Sequence, residues 1–237
     1  MAIAIQAGDV LRGRYEIQRR LGGARDKSVY LAHDRKFDWL VTVDVFTDNS
    51  LIMPGGQTVS AWEACVLGRL GDHPNIARVV DHWEDAEAAV MVSRYFSGGS
   101  LLDLIAHSRE SGGHLPVESI LRISAEIADG LAYIHGRRIL YLDLQPRNVL
   151  FDEFGTVHLV DFDTAMPVSR PDVSHLARRP VIVYTAPELT DHGAAGERAD
   201  LYSLGATIYE MAAGRPPFAG SREEILAARR AGPPRVP

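Results

Sequence analysis

The chain has 237 residues, 46% hydrophobic and 24% charged, enough for one or two globular domains with a sizeable core. Its 31 acidic and 25 basic residues give a formal charge of −6, which argues against a nucleic-acid or anionic-membrane partner. The single cysteine, Cys65, excludes an intrachain disulfide and fits a reducing, cytoplasmic compartment; neither a signal-peptide pattern nor a membrane-spanning apolar run is present.

The first part of the chain reads as five strands with one helix. "YEIQRRL", "SVYLAHD", "LVTVDVF" and "AAVMVSRYF" alternate apolar and polar residues or run apolar, and they are rich in Val, Tyr and Phe. Between them "TVSAWEACVLGRLG" has a helical period, with Val59, Trp62, Val66 and Leu70 on one face. Gly71 and Pro74 stop it. After "SGGS" the character changes. "LLDLIAHSRE" is helical, and so is "PVESILRISAEIADGLAYIHGRR", with Ile120, Ile123, Ile127, Leu131 and Ile134 on one face. Two short β-like runs, "NVLFD" and "TVHLVDF", flank the turn "EFG". An irregular segment over 163–188 precedes the helix "ADLYSLGATIYEMAAG" and the short helix "SREEILAARR". The pattern predicts an α+β chain in two lobes, with the seam near Arg94 to Gly99.

The most informative stretch is "YLDLQPRNVLFDEFGTVHLVDFDTA". It offers Asp143, then Asn148 five residues on, then Asp161 at the end of an apolar run. An acid for a hydroxyl proton, and an amide oxygen and second carboxylate for Mg²⁺, are what phosphoryl transfer requires. Each residue alone reads as an ordinary turn or strand-end residue; their joint spacing points to the chemistry.

Here the sequence resembles the eukaryotic-type Ser/Thr protein kinase family, including its bacterial members. "YLDLQPRN" is similar to the catalytic loop H-R-D-L-K-P-x-N, "VDFD" to the metal-binding D-F-G, and "YTAPEL" to the A-P-E segment. "DLYSLGATIYEMAAGRPPF" resembles the helix and loop that follow, and "HPNI" and "FSGGSL" the connections around the hinge. The resemblance covers roughly residues 10–237 in the right order. It implies a two-lobed protein-kinase-like fold, with a β-rich N-lobe over 10–96 that binds nucleotide and a mostly helical C-lobe over 97–237.

It also implies roles. Asp143 is the catalytic base, Asn148 and Asp161 are Mg²⁺ ligands, and Glu63 orients a phosphate-binding lysine. Arg94, Tyr95 and Phe96 form the adenine hinge, with Ser93 as gatekeeper. Val29 and Leu150 sandwich the adenine. Gly22 belongs to the phosphate loop, and Thr42 faces the nucleotide. Leu67, Tyr141 and Phe162 stack in an apolar column, and Asp200 holds the catalytic-loop backbone. The implied cofactors are ATP and Mg²⁺, and the implied partner is a protein substrate or a regulated protein.

The departures from the family pattern are many. The strand lysine is replaced by Asp44, and the second and third loop glycines by Ala24 and Lys27. Tyr141, Leu142 and Gln145 stand for His, Arg and Lys in the catalytic loop. Asp163 replaces the D-F-G glycine, and Pro180-Val181 replaces the Gly-Thr before Tyr184. Asp44 near phosphates and near Glu63 would repel ATP by several kcal/mol without a nearby cation. Lys27 shares strand parity with Val29 and points to the same face. "GGARDKSVYLAHD" thereby resembles the "with-no-lysine" kinases, which supply the lysine from the third glycine position.

Two further readings stay open. The changes at 44, 145, 163 and 181 suit a pseudokinase, a nucleotide-binding or scaffold module. "DLQPRNVLFD" followed by "VDFDTA" also resembles aminoglycoside phosphotransferases, although "YTAPEL" and "DLYSLG" belong to a protein-kinase activation segment. In the family Glu188 pairs with an arginine in helices that follow "PPF", and this chain stops at "AGPPRVP". The C-lobe is therefore expected to lack its final helices, to expose an apolar patch near the last ones, and to favour self-association.

Overall fold

The computed structural model describes residues 5–23, 27–47, 52–53, 56–85, 88–169, 182–190, 195–232 and 234; Ala24, Pro180 and Val181 lie outside them. The chain divides into two compact units, Met1–Asp72 with Ala77–Tyr95 and His73–Ile76 with Phe96–Pro237. Among the described residues no helix is long and apolar enough to cross a membrane.

The first unit is built on strands β1 (Val10–Leu11), β2 (Tyr15–Gly23), β3 (Lys27–Asp34) and β4 (Trp39–Phe46). A short hairpin of β5 (Ile52–Met53) and β6 (Gln57–Thr58) leads into helix α1 (Val59–Leu70), and β7 (Val79–Glu84) and β8 (Ala89–Arg94) complete the unit. The main sheet has six strands, all antiparallel, in the order β1-β2-β3-β4-β8-β7. The four quoted runs match β2, β3, β4 and β8; the two-residue β1 is not among them, and β7 escapes the sequence pattern because "VVDHWE" places polar groups on both faces and carries a register shift after Val79.

Strand alternation divides the sheet into two chemically distinct faces. Tyr30, Val43 and Val92 stand in one row across β3, β4 and β8, beside Ala32 and Val41. With Tyr15, Ile17, Val45, Trp83 and Val90 they form the unit's apolar core. Tyr15 stacks on Trp83 at 5.9 Å, and its hydroxyl donates to Asp81 at 2.8 Å. The opposite face carries the rows Lys27–Phe46–Ala89, Val29–Asp44–Met91 and Leu31–Thr42–Ser93.

Helix α1 lies against this second face. His82 and Glu84 share its parity through Met91 and Ala89. Ser60 Oγ donates to Glu84 Oε1 at 3.2 Å and lies 3.4 Å from His82 Nε2. Thr58 caps the helix, accepting from the Ala61 amide. The expected apolar stripe is corrected here. The helix buries Ser60, Glu63, Val66, Leu67 and Leu70, whereas Val59 and Trp62 are only half-buried. The hydrogen bonds of Ser60 draw the polar side of the helix onto the sheet.

The second unit starts with α2 (Leu101–Glu110) and α3 (Val117–Gly136). Ser100 and Asp103 form a capping box on α2. Strand β9 (Ile139–Leu140), a 3₁₀ turn (Pro146–Asn148), β10 (Val149–Phe151), β11 (Val157–Leu159) and β12 (Met166–Pro167) follow. Helices α4 (Pro187–Thr190), α5 (Glu197–Ala213) and α6 (Arg222–Ala231) complete it. β10 pairs with β11 and β12 with β9. The stretch 73–76 belongs here because Leu159 N donates to Asn75 O and Asn75 Nδ2 to Val157 O, both at 2.9 Å. Gly130 lets α3 approach this pairing; a Cβ there would meet Leu159 at 3.0 Å and Asn75 O at 3.4 Å.

Candidate active site

Two clusters of charged side chains stand out, one in each unit. In the first, Lys27 Nζ lies 2.9 Å from Asp44 Oδ2 and 5.1 Å from the centroid of the Phe46 ring. Asp44 is buried, and Lys27 is about a quarter exposed by its side-chain value of 23%. Glu63 follows Ser60 by one turn and is buried with it, so its carboxylate enters from the side of α1 that meets the sheet. The sheet face thus pairs one ammonium with an acid on β4, and α1 buries a second acid, Glu63, on its sheet-facing side. Asp44 occupies the strand position at which the resemblance expects the lysine. Around them Val29 pairs with Gly22 on β2, and Thr42 with Ser93 on β8. Arg94 ends β8 and is exposed, and Tyr95 is half-buried. Phe96 opens the second unit and is buried, with its ring stacked 4.3 Å from His158.

In the second unit, the segment 141–148 hangs from Asp200 on α5. Asp200 is fully buried. Its Oδ1 accepts from Leu142 N at 2.7 Å, and its Oδ2 accepts from Tyr141 N at 3.0 Å and lies 2.8 Å from His135 Nε2. These bonds hold Leu142 at φ 65°, a left-handed conformation that costs a non-glycine residue about 1–2 kcal/mol. Asp161, at φ 63°, is a second such residue in the cluster. The buried Tyr141 ring packs at 4.8 Å on Phe162, and its hydroxyl donates to Val160 O. Burial, then the surrounding acids, hold the Tyr141 hydroxyl pKa well above its ordinary value.

Asp143 is gripped at both oxygens. Gln145 Nε2 donates to Oδ1 at 2.7 Å, and Asn148 Nδ2 donates to Oδ2 at 2.9 Å and to the Asp143 carbonyl at 3.0 Å. The Asn148 amide nitrogen is committed to Asp143, so its oxygen is the atom it can offer to a cation. Asp143, Asp161 and Asp163 each bring a carboxylate oxygen within 4.8 Å of the others. Such a set of hard oxygens fits Mg²⁺, and the mutual repulsion of the carboxylates falls when a divalent cation sits among them.

In the sequence Gln145 stands only as a lost lysine, and its bond to Asp143 emerges from the structure. Its spacing of two residues from Asp143, in a turn, was the available signal. The bond from His135 to Asp200 has no comparable signal, because 65 residues separate the two. Leu150, on β10, is half-buried and pairs with His158.

Beyond the loop, Tyr184 donates its hydroxyl to Glu210 on α5, and its carbonyl accepts from Ser203 Oγ at 2.8 Å. Burial first, then Glu210, raise the Tyr184 pKa; burial raises that of Glu210, with Tyr184 and Arg109 acting in the opposite direction. Arg229 on α6 donates to the carbonyls of Ile182 and Val183, the latter at 3.2 Å. A groove of about 490 Å³ nearby is lined mainly by Pro187, Tyr202, Tyr209, Pro217, Phe218 and Pro234.

Comparison with known proteins adds to this geometry. A family model described as "Protein kinase domain" matches residues 15–232. The chain is 30% identical over 226 residues to the serine/threonine-protein kinase PrkC of Bacillus subtilis, covering 93% of this chain and 33% of that protein. It is 30% identical over 225 residues to the DNA damage-responsive serine/threonine-protein kinase RqkA of Deinococcus radiodurans, covering 92% and 32%. It is 30% identical over 218 residues to the serine/threonine-protein kinase pkn2 of Myxococcus xanthus, covering 89% and 26%. The chain thus spans about a third or less of the length of these curated relatives.

Proposed function

Since the chain belongs to the protein kinase family and has its fold, we propose that it transfers the γ-phosphoryl group of ATP to serine or threonine hydroxyls of proteins, with Mg²⁺. Residues 10–96 serve as the nucleotide-binding part and 97–237 as the catalytic and substrate-binding part. The observation that carries the reading is the hold of Gln145 and Asn148 on both oxygens of Asp143, beside the carboxylates of Asp161 and Asp163.

Asp143 accepts the proton of the attacking hydroxyl, and its oxygens are aimed by the Gln145 and Asn148 amides. The backbone beneath it is fixed by Asp200. Asn148 and Asp161 hold Mg²⁺, and Asp163 adds a further carboxylate to that set. Bound Mg²⁺ supplies neutralisation of phosphate charge, the main catalytic need of this reaction. Lys27 supplies the cation that the strand lacks. Its pairing with Asp44 supports this role, because it brings the ammonium to the sheet position where the family carries its lysine. Glu63 orients that ammonium. Gly22, Val29, Thr42, Leu150 and the backbone of Arg94–Phe96 receive the nucleotide.

The test is transfer of label from ATP. With Mg²⁺ and a generic Ser/Thr acceptor, the native chain incorporates label and Asp143→Asn does not. Equal signals from the two proteins would sink the reading. A pseudokinase reading draws on the same ion pair: if Asp44 keeps Lys27 neutralised, phosphates meet Glu63 and Asp44 with no net cation. That reading predicts no phosphoryl transfer above the Asp143→Asn level, whether or not ATP binds.

A further inference from the structure

Helix α1 carries Glu63, yet its own sequence leaves its N-terminus without an acid. Val59, Ser60, Ala61 and Trp62 make up the first turn, and Ala61 stands where a capping box places Glu or Gln. A carboxylate from the sheet takes that place. Glu84, at the end of β7, brings its Oε1 to the start of the helix, where it accepts from Thr58 Oγ1 and, at 3.2 Å, from Ser60 Oγ. Thr58 Oγ1 in turn accepts from the Ala61 amide at 3.2 Å. Ser60 has one hydroxyl proton and gives it to Glu84, so a lone pair of its oxygen meets His82 Nε2 at 3.4 Å. Burial lowers the His82 pKa, against the pull of Glu84 and Asp81, so the ring is neutral and its N–H serves Ser60. The bonds thus run in one sense, from His82 through Ser60 to Glu84, and from Thr58 to the same oxygen.

This seat matters for the residue one turn further on. Glu63 follows Ser60 by three residues and is buried with it. A helix turns about 100° per residue, so both lie on one side, and rotation by a single residue would carry Glu63 off the sheet. Val66, Leu67 and Leu70 bury the later turns, but apolar contact is non-directional. Hydrogen bonds have direction, and those of Ser60 and Thr58 set the rotation of the first turn. Glu84 itself is exposed, so its role is not to fill the core.

We infer that Glu84, acting through Ser60 and Thr58, is a positioning residue for Glu63. The inference rests on the reading of Glu63 as the acid that orients Lys27.

The test has two readouts. Cys65, the single cysteine, lies two residues beyond Glu63 on α1 and is half-buried, so its rate of alkylation by a maleimide reports how the helix is seated. Calorimetry gives the MgATP affinity. Both are measured on the native chain, Glu84→Ala, Glu84→Gln, Glu63→Gln and the double variant Glu84→Ala with Glu63→Gln, with circular dichroism to verify the fold. Glu84→Ala is alkylated about fivefold faster and binds MgATP about fivefold more weakly, the upper range for an exposed charged contact. Glu84→Gln recovers most of both, because its amide oxygen accepts from the same two hydroxyls. On the Glu63→Gln background Glu84→Ala still speeds alkylation but takes no further MgATP affinity, since the effect runs through Glu63. Native alkylation in Glu84→Ala overturns the inference. So does faster alkylation with native affinity, which leaves Glu84 a helix anchor and nothing more. Additive losses in the double variant, or a glutamine variant as weak as the alanine one, also overturn it. If Glu63→Gln loses affinity and Glu84→Ala does not, the inference falls and the reading of Glu63 stands. If Glu63→Gln binds MgATP as the native chain does, or the native chain binds none, both fall. The expected binding pattern without phosphoryl transfer keeps the inference and defeats the catalytic reading.

Discussion

Replacing Gln145 with alanine removes one of the two amides that grip Asp143. The bond is 2.7 Å long and lies between two buried side chains. A hydrogen bond to a charged group contributes about 1.5–3 kcal/mol, which corresponds to roughly 10- to 150-fold in rate if it acts on the transition state. Asn148 still holds the other oxygen, so the low end applies, about tenfold in kcat. KM for ATP stays unchanged, because Gln145 acts on Asp143 and on no group assigned to ATP. Gln145→Glu keeps the shape but turns a carboxylate toward Asp143, so it loses more activity than alanine does. Steady-state kinetics with MgATP and a serine peptide measure both parameters, with circular dichroism to check the fold. Full kcat in Gln145→Ala, or activity in Gln145→Glu above that of the alanine variant, would refute the positioning argument.

Three further predictions concern the frame of the site. Gly98→Ala places a Cβ 2.7 Å from both Asp152 O and Phe151 Cβ, where Gly98 N also donates to Phe151 O. We expect a loss of about 1–3 kcal/mol from overpacking, read as a lower Tm, and an unchanged Tm would contradict it. Asp200→Asn leaves one acceptor oxygen for the Tyr141 and Leu142 amides, so chemical denaturation shows a loss of about 2–4 kcal/mol. A midpoint equal to the native one would remove Asp200 from its role. Asp34 is held below the ordinary carboxylate range, first by its hydrogen bond from Arg14 and against the effect of burial. A folded pKa below the unfolded one contributes stability above the unfolded pKa, and that stability is lost as pH falls through the folded one. Arg14→Ala removes most of that difference, so acid unfolding starts at a higher pH; coincident acid transitions would count against it.

Local patterning in the sequence went far where a strand or helix has one clean face. The period of two over β3 and β4 put Lys27, Val29, Asp44 and Thr42 on the face where the structure has them. The expected helix "LLDLIAHSRE" agrees with α2 in both ends, because Ser100 and Asp103 cap it by purely local bonds. Reading failed where polar groups are buried by distant partners. Apolar spacing placed Trp62 on the inner face of α1, and it could not foresee that Ser60 bonds Glu84 across 24 residues. The same blindness hid β7, whose polar residues meet α1. The positions of the catalytic loop came from resemblance to a family. That resemblance marks Gln145 as a departure, and only the geometry reveals an amide bound to Asp143 in place of a cation.

The account depends most on Lys27 as the cation for the phosphates. The direct measurement is calorimetric titration of MgATP into the native chain and into Lys27→Ala, with folding verified for both. The native chain binds, and the variant loses about tenfold or more in affinity, the cost of one partly desolvated charge interaction. The exchange variant Lys27→Asp with Asp44→Lys recovers part of that loss by keeping an ammonium on the same face. Equal MgATP affinity in the native chain and Lys27→Ala would contradict the account.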